Sequence, residues 1–310
     1  MGATYRMIQL IERKPLRNAQ KIFTVAEAEK AAAFHRTLLS YSPTPLVALK
    51  NLAGLLGVSD IYVKDESQRF GLNAFKALGG SYCIQRCMEQ KQQNCTFVAA
   101  TDGNHGRGVA WAAQRLRQKC VIYLPKGSSI ERLSNIQKLG AKASITEWNY
   151  DDTVRYARRQ AEENGWLLIQ DTSWEGYEQI PTWIMQGYTT MGIEMIHQLP
   201  KKPTHIFLQA GVGAMAGAMC GFFTDYYGED VPKIIIVEAD QADCIYRTAL
   251  VDDGELHSVS GVLATMMAGL ACGEPCGIGW QQIRSAARYY ASVLDTIAAK
   301  GMRVLGNPCG

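Results

Sequence analysis

The sequence predicts an α/β fold built from two domains, in which parallel sheets are flanked by helices. The first observation is a regular alternation of β-type and helical segments along most of the chain. The second is the length of 310 residues, which suffices for two domains of ordinary size. The third is a composition with 47% hydrophobic and 20% charged residues, which is typical of globular proteins.

The first predicted elements lie on either side of a proline-rich break. Thr24-Val25-Ala26-Glu27 forms a capping box that predicts a helix to about Leu39. Ser42-Pro43-Thr44-Pro45-Leu46 ends this helix, because proline cannot continue it. A strand is then predicted from Asp60 to Lys64, and a helix from about Ala74 to Gln90.

Strands and helices alternate in the remainder of the chain. The strands of a first series are predicted at Thr96–Ala100, Cys120–Leu124, Ala141–Thr146 and Trp166–Gln170. The helices of this series are predicted at His105–Arg117, Ile130–Leu139, Asp152–Asn164 and Thr182–His197. A second series comprises a strand at His205–Ala210, a helix from Ala214 and a strand at Lys233–Glu238. Ser128-Ser129-Ile130-Glu131 predicts a helix start, and Gly165 a C-terminal glycine cap.

The domain boundaries follow from these two series. We expect a small α/β domain over residues 81–191. Residues 1–80 and 192–310 are expected to join as a large domain.

Charge and hydropathy exclude several function classes. The net charge of +3 is small, and no Lys/Arg run is long enough to predict a nucleic-acid surface. Met1–Arg6 lacks the apolar core of a signal peptide, and no apolar run could span a bilayer. We therefore expect a cytoplasmic protein that acts on a small molecule, without nucleic-acid or membrane partners.

The nine cysteines contain no C-x-x-C pair, so no metal site is predicted. Free thiols are favoured in the expected compartment. Whether Cys244 and Cys272 approach each other is left open by the sequence.

Lys76 is the first candidate functional residue. It stands in Asn73-Ala74-Phe75-Lys76-Ala77-Leu78-Gly79-Gly80, among apolar neighbours near a predicted helix start. Low-dielectric surroundings lower the pKa of a lysine and expose the neutral amine that Schiff-base formation requires. A single helical lysine is far more often a solvated surface charge. The flanking apolar residues and Gly79-Gly80, which would allow a flat group to pack closely, favour the functional interpretation.

A second motif is Thr101-Asp102-Gly103-Asn104-His105-Gly106-Arg107-Gly108, a Gly-rich turn between a predicted strand and a helix. Its glycines are expected to leave room for a ligand. Asn104 is either a helix cap or a donor to a phenolate oxygen, and Asp102 either a capping carboxylate or a base. His105 is interpreted as a polar packing residue rather than a metal ligand. Together with Lys76, this turn points to pyridoxal phosphate and to amino-acid chemistry.

The third motif is the loop Gly211–Gly217, which follows a predicted strand and opens a helix. Backbone N–H groups at such a loop can bind an anion. The loop also matches the dinucleotide pattern G-x-G-x-x-A, and Glu238 ends the next strand, where a ribose-binding acid could stand. Taken alone, the loop fits a phosphate site of pyridoxal phosphate, an NAD site or a structural turn equally well.

Further candidates follow the predicted strand at Trp166–Gln170. They are Asp171, Trp174 and Glu175, at a position where ligand crevices form in α/β proteins.

At these residues the chain resembles the fold-type II pyridoxal-phosphate enzymes, whose fold is like that of the tryptophan synthase β chain. Among them it is most similar to the diaminopropionate ammonia-lyases. The matching segments are Lys64–Gly80, Thr101–Trp111, Asn149–Thr153, Asp171–Tyr188, Leu208–Gly217, Glu238–Arg247 and Met267–Pro275. The resemblance extends from about Tyr41 to the end of the chain and favours pyridoxal phosphate over NAD.

The resemblance implies a set of site residues. Lys76 would form the Schiff base with the cofactor, and Asn104 would contact its phenolic oxygen. The phosphate would be held by the backbone N–H groups of Gly211, Val212, Gly213, Ala214 and Met215.

The resemblance also implies an activity, the elimination of ammonia from D- and L-2,3-diaminopropionate to give pyruvate. Asp102 would be the base for the D-isomer and Lys76 the base for the L-isomer. A homodimer is the implied assembly.

Three alternatives are kept. Family members continue beyond the segment that matches Gly306–Gly310, so we expect the last strands of the large domain to be missing. An inactive, truncated relative is therefore one alternative. A lyase like the serine or threonine dehydratases is another, and an NAD-dependent oxidoreductase built on Gly211–Gly217 is the third.

Overall fold

Within residues 7–90, 95–101 and 103–306, which the computed structural model describes, the chain forms ten strands and twelve α-helices. The strands are β1 Ile8–Glu12, β2 Leu46–Ala48, β3 Tyr62–Lys64, β4 Thr96–Ala100, β5 Lys119–Leu124, β6 Lys142–Ile145, β7 Leu167–Leu168, β8 His205–Gln209, β9 Lys233–Ala239 and β10 Ala287–Val293. The helices are α1 Val25–Arg36, α2 Lys50–Leu56, α3 Lys76–Gln90, α4 Asn104–Arg115, α5 Ile130–Gln137, α6 Tyr150–Asn164, α7 Gln179–Tyr188, α8 Thr190–Gln198, α9 Ala214–Tyr227, α10 Cys244–Val251, α11 Gly277–Ala286 and α12 Asp295–Leu305.

The chain divides into two compact units. The first comprises residues 1–25, 45–65 and 191–310, and the second comprises residues 26–44 and 66–190. The boundaries that the sequence suggested, near residues 80 and 192, stay a prediction.

The second unit contains a sheet with the strand order β6-β5-β4-β7, in which all strands are parallel. Val98, Ala100 and Val121 of this sheet form a buried cluster with Ala157 of α6 and Leu168 of β7. Helix α3 packs against α4 and α7 in the same unit. The predicted α/β fold with parallel sheets and flanking helices is thereby confirmed here.

The first unit contains a second sheet, with the order β1-β10-β9-β8. Strands β8, β9 and β10 are parallel, whereas β1 pairs with β10 in the antiparallel direction. Strand β1 lacks the buried alternation that identifies a strand in a sequence, because four of its five residues are exposed. Strands β2 and β3 form a separate antiparallel pair.

Local deviations from the predicted elements have identifiable causes. The helix predicted at Thr182–His197 is divided into α7 and α8, and Thr189 stands at the break. The Thr189 hydroxyl donates a hydrogen bond to the carbonyl of Gln186 at 2.5 Å, which ties the side chain to the end of α7.

The capping residue of α5 is Ser129, whose hydroxyl accepts from the Arg132 N–H at 3.2 Å. Gly165 ends α6 with φ 65°, which confirms the predicted glycine cap.

The described residues contain neither a membrane-spanning helix nor a metal cluster. None of their helices combines the length and the apolar character that crossing a membrane would require. Across the same residues, no group of three or more His, Cys, Asp and Glu side chains could hold a metal ion.

Candidate functional site

Lys76 is the first residue of α3, in the second unit. Its side chain is 24% exposed, and its Nζ forms an ion pair with Oδ2 of Asp171. The preceding Phe75 packs edge-on against Tyr188, with 5.0 Å between the ring centroids. The amine is therefore partly buried, and one carboxylate is in direct contact with it.

Asp171 lies just beyond β7 and is 5% exposed. Burial by itself raises the pKa of this carboxyl, but His105 and Lys76 outweigh it and lower the pKa well below its usual value. The sequence marked Asp171 only as one of three candidates after a strand. Its contact with Lys76 joins residues 95 positions apart, and no local pattern reports such a distance.

His105 completes the group around Asp171. It lies in the first turn of α4, and its ring is 4% exposed. Its Nε2 is 2.7 Å from the carbonyl oxygen of Ile169, and its Nδ1 is 3.7 Å from Oδ2 of Asp171. The ring is packed inside the unit, as the sequence predicted, but it also faces the carboxylate that holds Lys76.

The Gly-rich turn before α4 contains two candidate site residues, Asn104 and Asp102. Gly103 is the capping residue of α4 and offers no side chain, but the Thr101 hydroxyl accepts from the N–H groups of Gly103 at 2.9 Å and Gly106 at 3.1 Å. The side chain of Asn104 is exposed at the first position of the helix, so its interpretation as a helix cap is wrong. Asp102, the expected base for the D-isomer, lies outside the described residues.

The glycines near Lys76 and His105 serve helix packing. A Cβ on Gly79 would lie 2.5 Å from Cε1 of Tyr188, and one on Gly106 would lie 2.3 Å from Cγ2 of Thr101. A Cβ on Gly108 would lie 2.9 Å from the backbone of α3. The expectation that the glycines of the turn leave room for a ligand is therefore wrong for Gly106 and Gly108, because protein atoms fill the space beside them, whereas the position beside Gly103 meets the side chain of Arg132 first, at 3.3 Å.

The loop Gly211–Gly217 belongs to the first unit, where it joins β8 to α9. Gly213 is the capping residue of α9 and has φ 89°, a conformation that favours glycine. Gly213 contributes no side-chain cap, and the first N–H groups of α9 present the positive end of its dipole. The carbonyl of Val212 accepts from the Cys276 N–H at 2.7 Å, which fixes the loop from behind. This donor set suits a phosphate group.

Glu238, which the sequence offered as a ribose-binding acid, has another role. Its carboxylate is 1% exposed and accepts from the N–H groups of Ile245 at 2.9 Å and Tyr246 at 2.6 Å. It therefore caps the start of α10. Because each of its two oxygens already accepts from a backbone N–H, the ribose contact expected for an NAD site is contradicted.

Two cysteines lie close to the same loop. The Sγ of Cys244 is 3.6 Å from the carbonyl oxygen of Gly211. A Cβ on Gly211 would lie 3.2 Å from the Sγ of Cys272. Both residues are thiols in the structure, and burial raises the pKa of Cys244 above its usual value.

The segment after Asp171 is held by aromatic contacts. Trp174 stacks on Tyr177 with 4.2 Å between the centroids, and the Tyr177 hydroxyl donates to the Leu168 carbonyl at 2.7 Å. Glu175 is exposed at the tip of this segment. Of the three candidates after β7, only Asp171 contacts Lys76 in the described part of the chain.

Comparisons with known proteins relate the chain to pyridoxal-phosphate dependent enzymes. A family model described as "Pyridoxal-phosphate dependent enzyme" matches residues 37–310. The diaminopropionate ammonia-lyase of Escherichia coli K12 is 50% identical over 309 residues, which covers 93% of this chain and 77% of that protein.

A solved structure and a more distant relative extend this result. The crystal structure of the Escherichia coli diaminopropionate ammonia lyase in complex with D-serine matches with a TM-score of 0.92 and 48% identity, over 98% of this chain and 81% of that chain. A catabolic L-threonine dehydratase of Staphylococcus aureus is 26% identical over 246 residues, or 77% of this chain and 66% of that protein.

Proposed function

The chain belongs to the family of pyridoxal-phosphate dependent enzymes, and on that premise we propose that it is a lyase that eliminates ammonia from 2,3-diaminopropionate. The observation that carries the proposal is the 50% identity to a diaminopropionate ammonia-lyase over 93% of this chain. Both the D- and the L-isomer are proposed substrates. The products are pyruvate and ammonia.

The residues present fit pyridoxal phosphate. A helix start with Gly213 at positive φ offers N–H donors to a phosphate, and a partly buried lysine amine offers a nucleophile. Lys76 would hold the cofactor through Nζ, Asn104 would contact its phenolic oxygen, and Gly211–Met215 would bind its phosphate. When bound, pyridoxal phosphate supplies an electron sink that stabilises a carbanion at the substrate Cα.

The chain itself supplies orientation and proton transfer. The Asp171 carboxylate fixes the direction of the Lys76 side chain, so Nζ is held at one position instead of sampling the many rotamers of a lysine. As a neutral amine, Lys76 can take the Cα proton of the L-isomer. Asp102 is the proposed base for the D-isomer. Two bases on opposite faces of one planar group can remove protons of opposite configuration.

An assay of pyruvate formation tests the proposal. Wild-type protein with pyridoxal phosphate is expected to form pyruvate from both isomers, whereas Lys76→Ala loses this activity by several orders of magnitude. Lys300→Ala is the control, because Lys300 is an exposed residue of α12. If the cofactor-loaded wild type forms no pyruvate from either isomer, the proposed activity is wrong and an inactive relative is the better description.

Serine and threonine belong in the same assay. The lower identity to the threonine dehydratase, 26%, favours diaminopropionate over the hydroxy amino acids. Turnover of serine well above that of diaminopropionate would reverse this choice. A homodimer and a cytoplasmic location accompany the proposal as predictions, and light scattering after size-exclusion chromatography measures the assembly.

A further inference from the structure

His105 has one ring nitrogen whose protonation is fixed by its partner. A carbonyl oxygen can only accept a hydrogen bond, so Nε2, 2.7 Å from the Ile169 carbonyl, carries a hydrogen in both charge states of the ring. The other nitrogen, Nδ1, is the one that gains or loses a proton. Among the described residues, this buried Nδ1 has no hydrogen-bond partner.

The group that Nδ1 faces is Asp171. The distance from Nδ1 to Oδ2 is 3.7 Å, and this same oxygen contacts Nζ of Lys76. A single carboxylate oxygen thus lies between a lysine amine and a titratable ring. The three side chains come from α3, from α4 and from the segment after β7.

This arrangement matters because of what the proposed function demands of Lys76. An ammonium is neither a nucleophile nor a base, so Lys76 must lose a proton before it can act. A buried carboxylate that loses its only cationic partner is strongly destabilised. If the proton that Lys76 loses ends on His105, the Asp171 carboxylate still faces a cation.

We propose that His105 accepts, through the Asp171 carboxylate, the proton that Lys76 gives up, and so acts as a positioning and charge-balancing residue for Lys76. The inference rests on the proposed function. One proton passes from Nζ to Oδ2 and one from the carboxyl to Nδ1. Lys76 ends as a neutral amine, Asp171 remains a carboxylate, and His105 becomes an imidazolium that donates from both nitrogens. The total charge of the three groups is unchanged.

The other titratable groups nearby do not compete for the proton. Tyr177 also faces Asp171, but its hydroxyl donates to the Leu168 carbonyl and burial raises its pKa well above the usual value. Cys83 interacts electrostatically with Tyr177, and burial raises the pKa of its thiol as well. Both therefore stay neutral and protonated, and neither accepts a proton at physiological pH.

The first test measures the pH dependence of Lys76 reactivity instead of turnover. Pyridoxal phosphate at saturation is fixed to the protein with borohydride, and mass spectrometry quantifies labelling of Lys76. In His105→Gln the amide can still donate to Ile169 but cannot take a proton. In this variant the pH of half-maximal labelling should rise by about one unit. Below the midpoint, labelling of Lys76 should then be about tenfold lower than in the wild type.

The matched control is His35→Gln. His35 is also fully buried in the second unit, and its Nε2 lies 3.0 Å from the Leu78 carbonyl. His35 belongs to α1, and its ring nitrogens lie within hydrogen-bond distance of Thr190, Leu78 and Ser81. Its labelling profile should coincide with that of the wild type. Coincident profiles for wild type and His105→Gln would overturn the proposal. Because labelling does not require diaminopropionate, the outcome is independent of the pyruvate assay.

A second measurement leaves His105 intact. In protein labelled with ¹⁵N-histidine, the Nδ1 resonance of His105 is followed against pH, with His105→Gln to assign it among the five histidines. Lys76→Met removes the ammonium that otherwise pairs with Asp171. Nδ1 should then stay protonated to a higher pH than in the wild type. The same titration in both proteins would contradict the transfer.

Discussion

Gly108 and Ala77 lie so close that a Cβ on the glycine would be 2.9 Å from the amide nitrogen of Ala77. The same Cβ would be 2.9 Å from the carbonyl carbon of Lys76. Helices α3 and α4 are therefore in backbone contact at the residue that carries the proposed reactive amine. This contact fixes Lys76 relative to His105 without any side chain between them.

Gly108→Ala should disrupt this contact. The atoms in the way belong to the backbone, so the helices must separate, at a cost of about 1–3 kcal/mol in the free energy of unfolding. Denaturant unfolding measures the loss, and labelling of Lys76 with pyridoxal phosphate and borohydride should fall as well.

Gly301→Ala provides the matched control for this substitution. Gly301 is also inside a helix, but nothing lies within 4 Å of the position a Cβ would take. Alanine there should stabilise the protein by up to about 1 kcal/mol through helix propensity. Equal stabilities for wild type and Gly108→Ala would contradict the close approach.

Gly213→Ala should weaken binding of pyridoxal phosphate. Gly213 has φ 89°, a conformation that is strained for alanine, and a Cβ would also lie 2.9 Å from Cδ1 of Ile245, so relief of the strain should shift the start of α9. The N–H groups then lose their common direction toward a phosphate. Absorbance titration should give a Kd at least about tenfold higher, or about 1.4 kcal/mol.

Gly254→Ala separates backbone strain from loop geometry. Gly254 has φ 94°, close to that of Gly213, but no atom lies within 4 Å of the place where its Cβ would stand. Gly254→Ala should lower the free energy of unfolding by about as much as Gly213→Ala, because the backbone strain is similar. Its Kd for pyridoxal phosphate should be unchanged. A Kd for Gly213→Ala equal to that of Gly254→Ala would argue against a phosphate site in this loop.

The local parts of the candidate site could be predicted from the sequence. Lys76 near a helix start and Gly213 before a helix are recognised from their immediate neighbours, and the structure places both at those positions. Asp171 and His105 could not be joined to Lys76 in this way. Their contacts depend on how α3, α4 and β7 pack, and a sequence pattern does not report packing across many residues.

Glu238 shows how a local motif can mislead. A carboxylate at the end of a parallel strand after G-x-G-x-x-A has the pattern of a ribose-binding acid. The same position also faces the start of α10, where backbone N–H groups lack partners. The sequence does not distinguish the two uses, because both need an acceptor at the same end of the strand.

Asp171→Asn should destabilise the protein in a pH-dependent way. Burial alone raises the pKa of Asp171, but the neighbouring His105 and Lys76 lower it well below its usual value. The pair therefore contributes stability above the usual pKa of 3.8, and this contribution decreases as the pH falls. At neutral pH the loss should be about 3 kcal/mol, at the low end for a buried pair because part of Lys76 is exposed.

Urea unfolding of wild type and Asp171→Asn at several pH values measures this effect. The difference in free energy should be largest near neutrality and should shrink as the pH falls below about 4. Asp152→Asn is the control, because its pair with Arg155 is exposed and worth no more than about 0.5 kcal/mol. A difference that is the same at every pH would contradict the ion pair.

Glu238→Gln should show the opposite dependence on pH. Burial raises the pKa of Glu238 well above 4.5, although the N–H groups of Ile245 and Tyr246 partly counteract it. Below pH 4.5 the carboxyl is protonated in both the folded and the unfolded protein, so the wild type is most stable relative to the variant there. As the pH rises toward the pKa of the folded protein, the wild type loses up to about 1.4 kcal/mol per pH unit. Glutamine does not titrate, so the difference should move steadily in favour of the variant.

Glu238→Ala distinguishes the cap from the charge. Alanine leaves the N–H groups at the start of α10 without an acceptor, which should cost about 1–2 kcal/mol even at low pH. Glutamine keeps one acceptor oxygen and leaves one of the two N–H groups without an acceptor, so it should cost less than alanine there. Urea unfolding from about pH 4 to about pH 8 measures all three proteins under the same conditions. A constant difference between wild type and Glu238→Gln would mean that the carboxyl carries the same charge when folded and unfolded, and its burial would then require a cation that pairs with it.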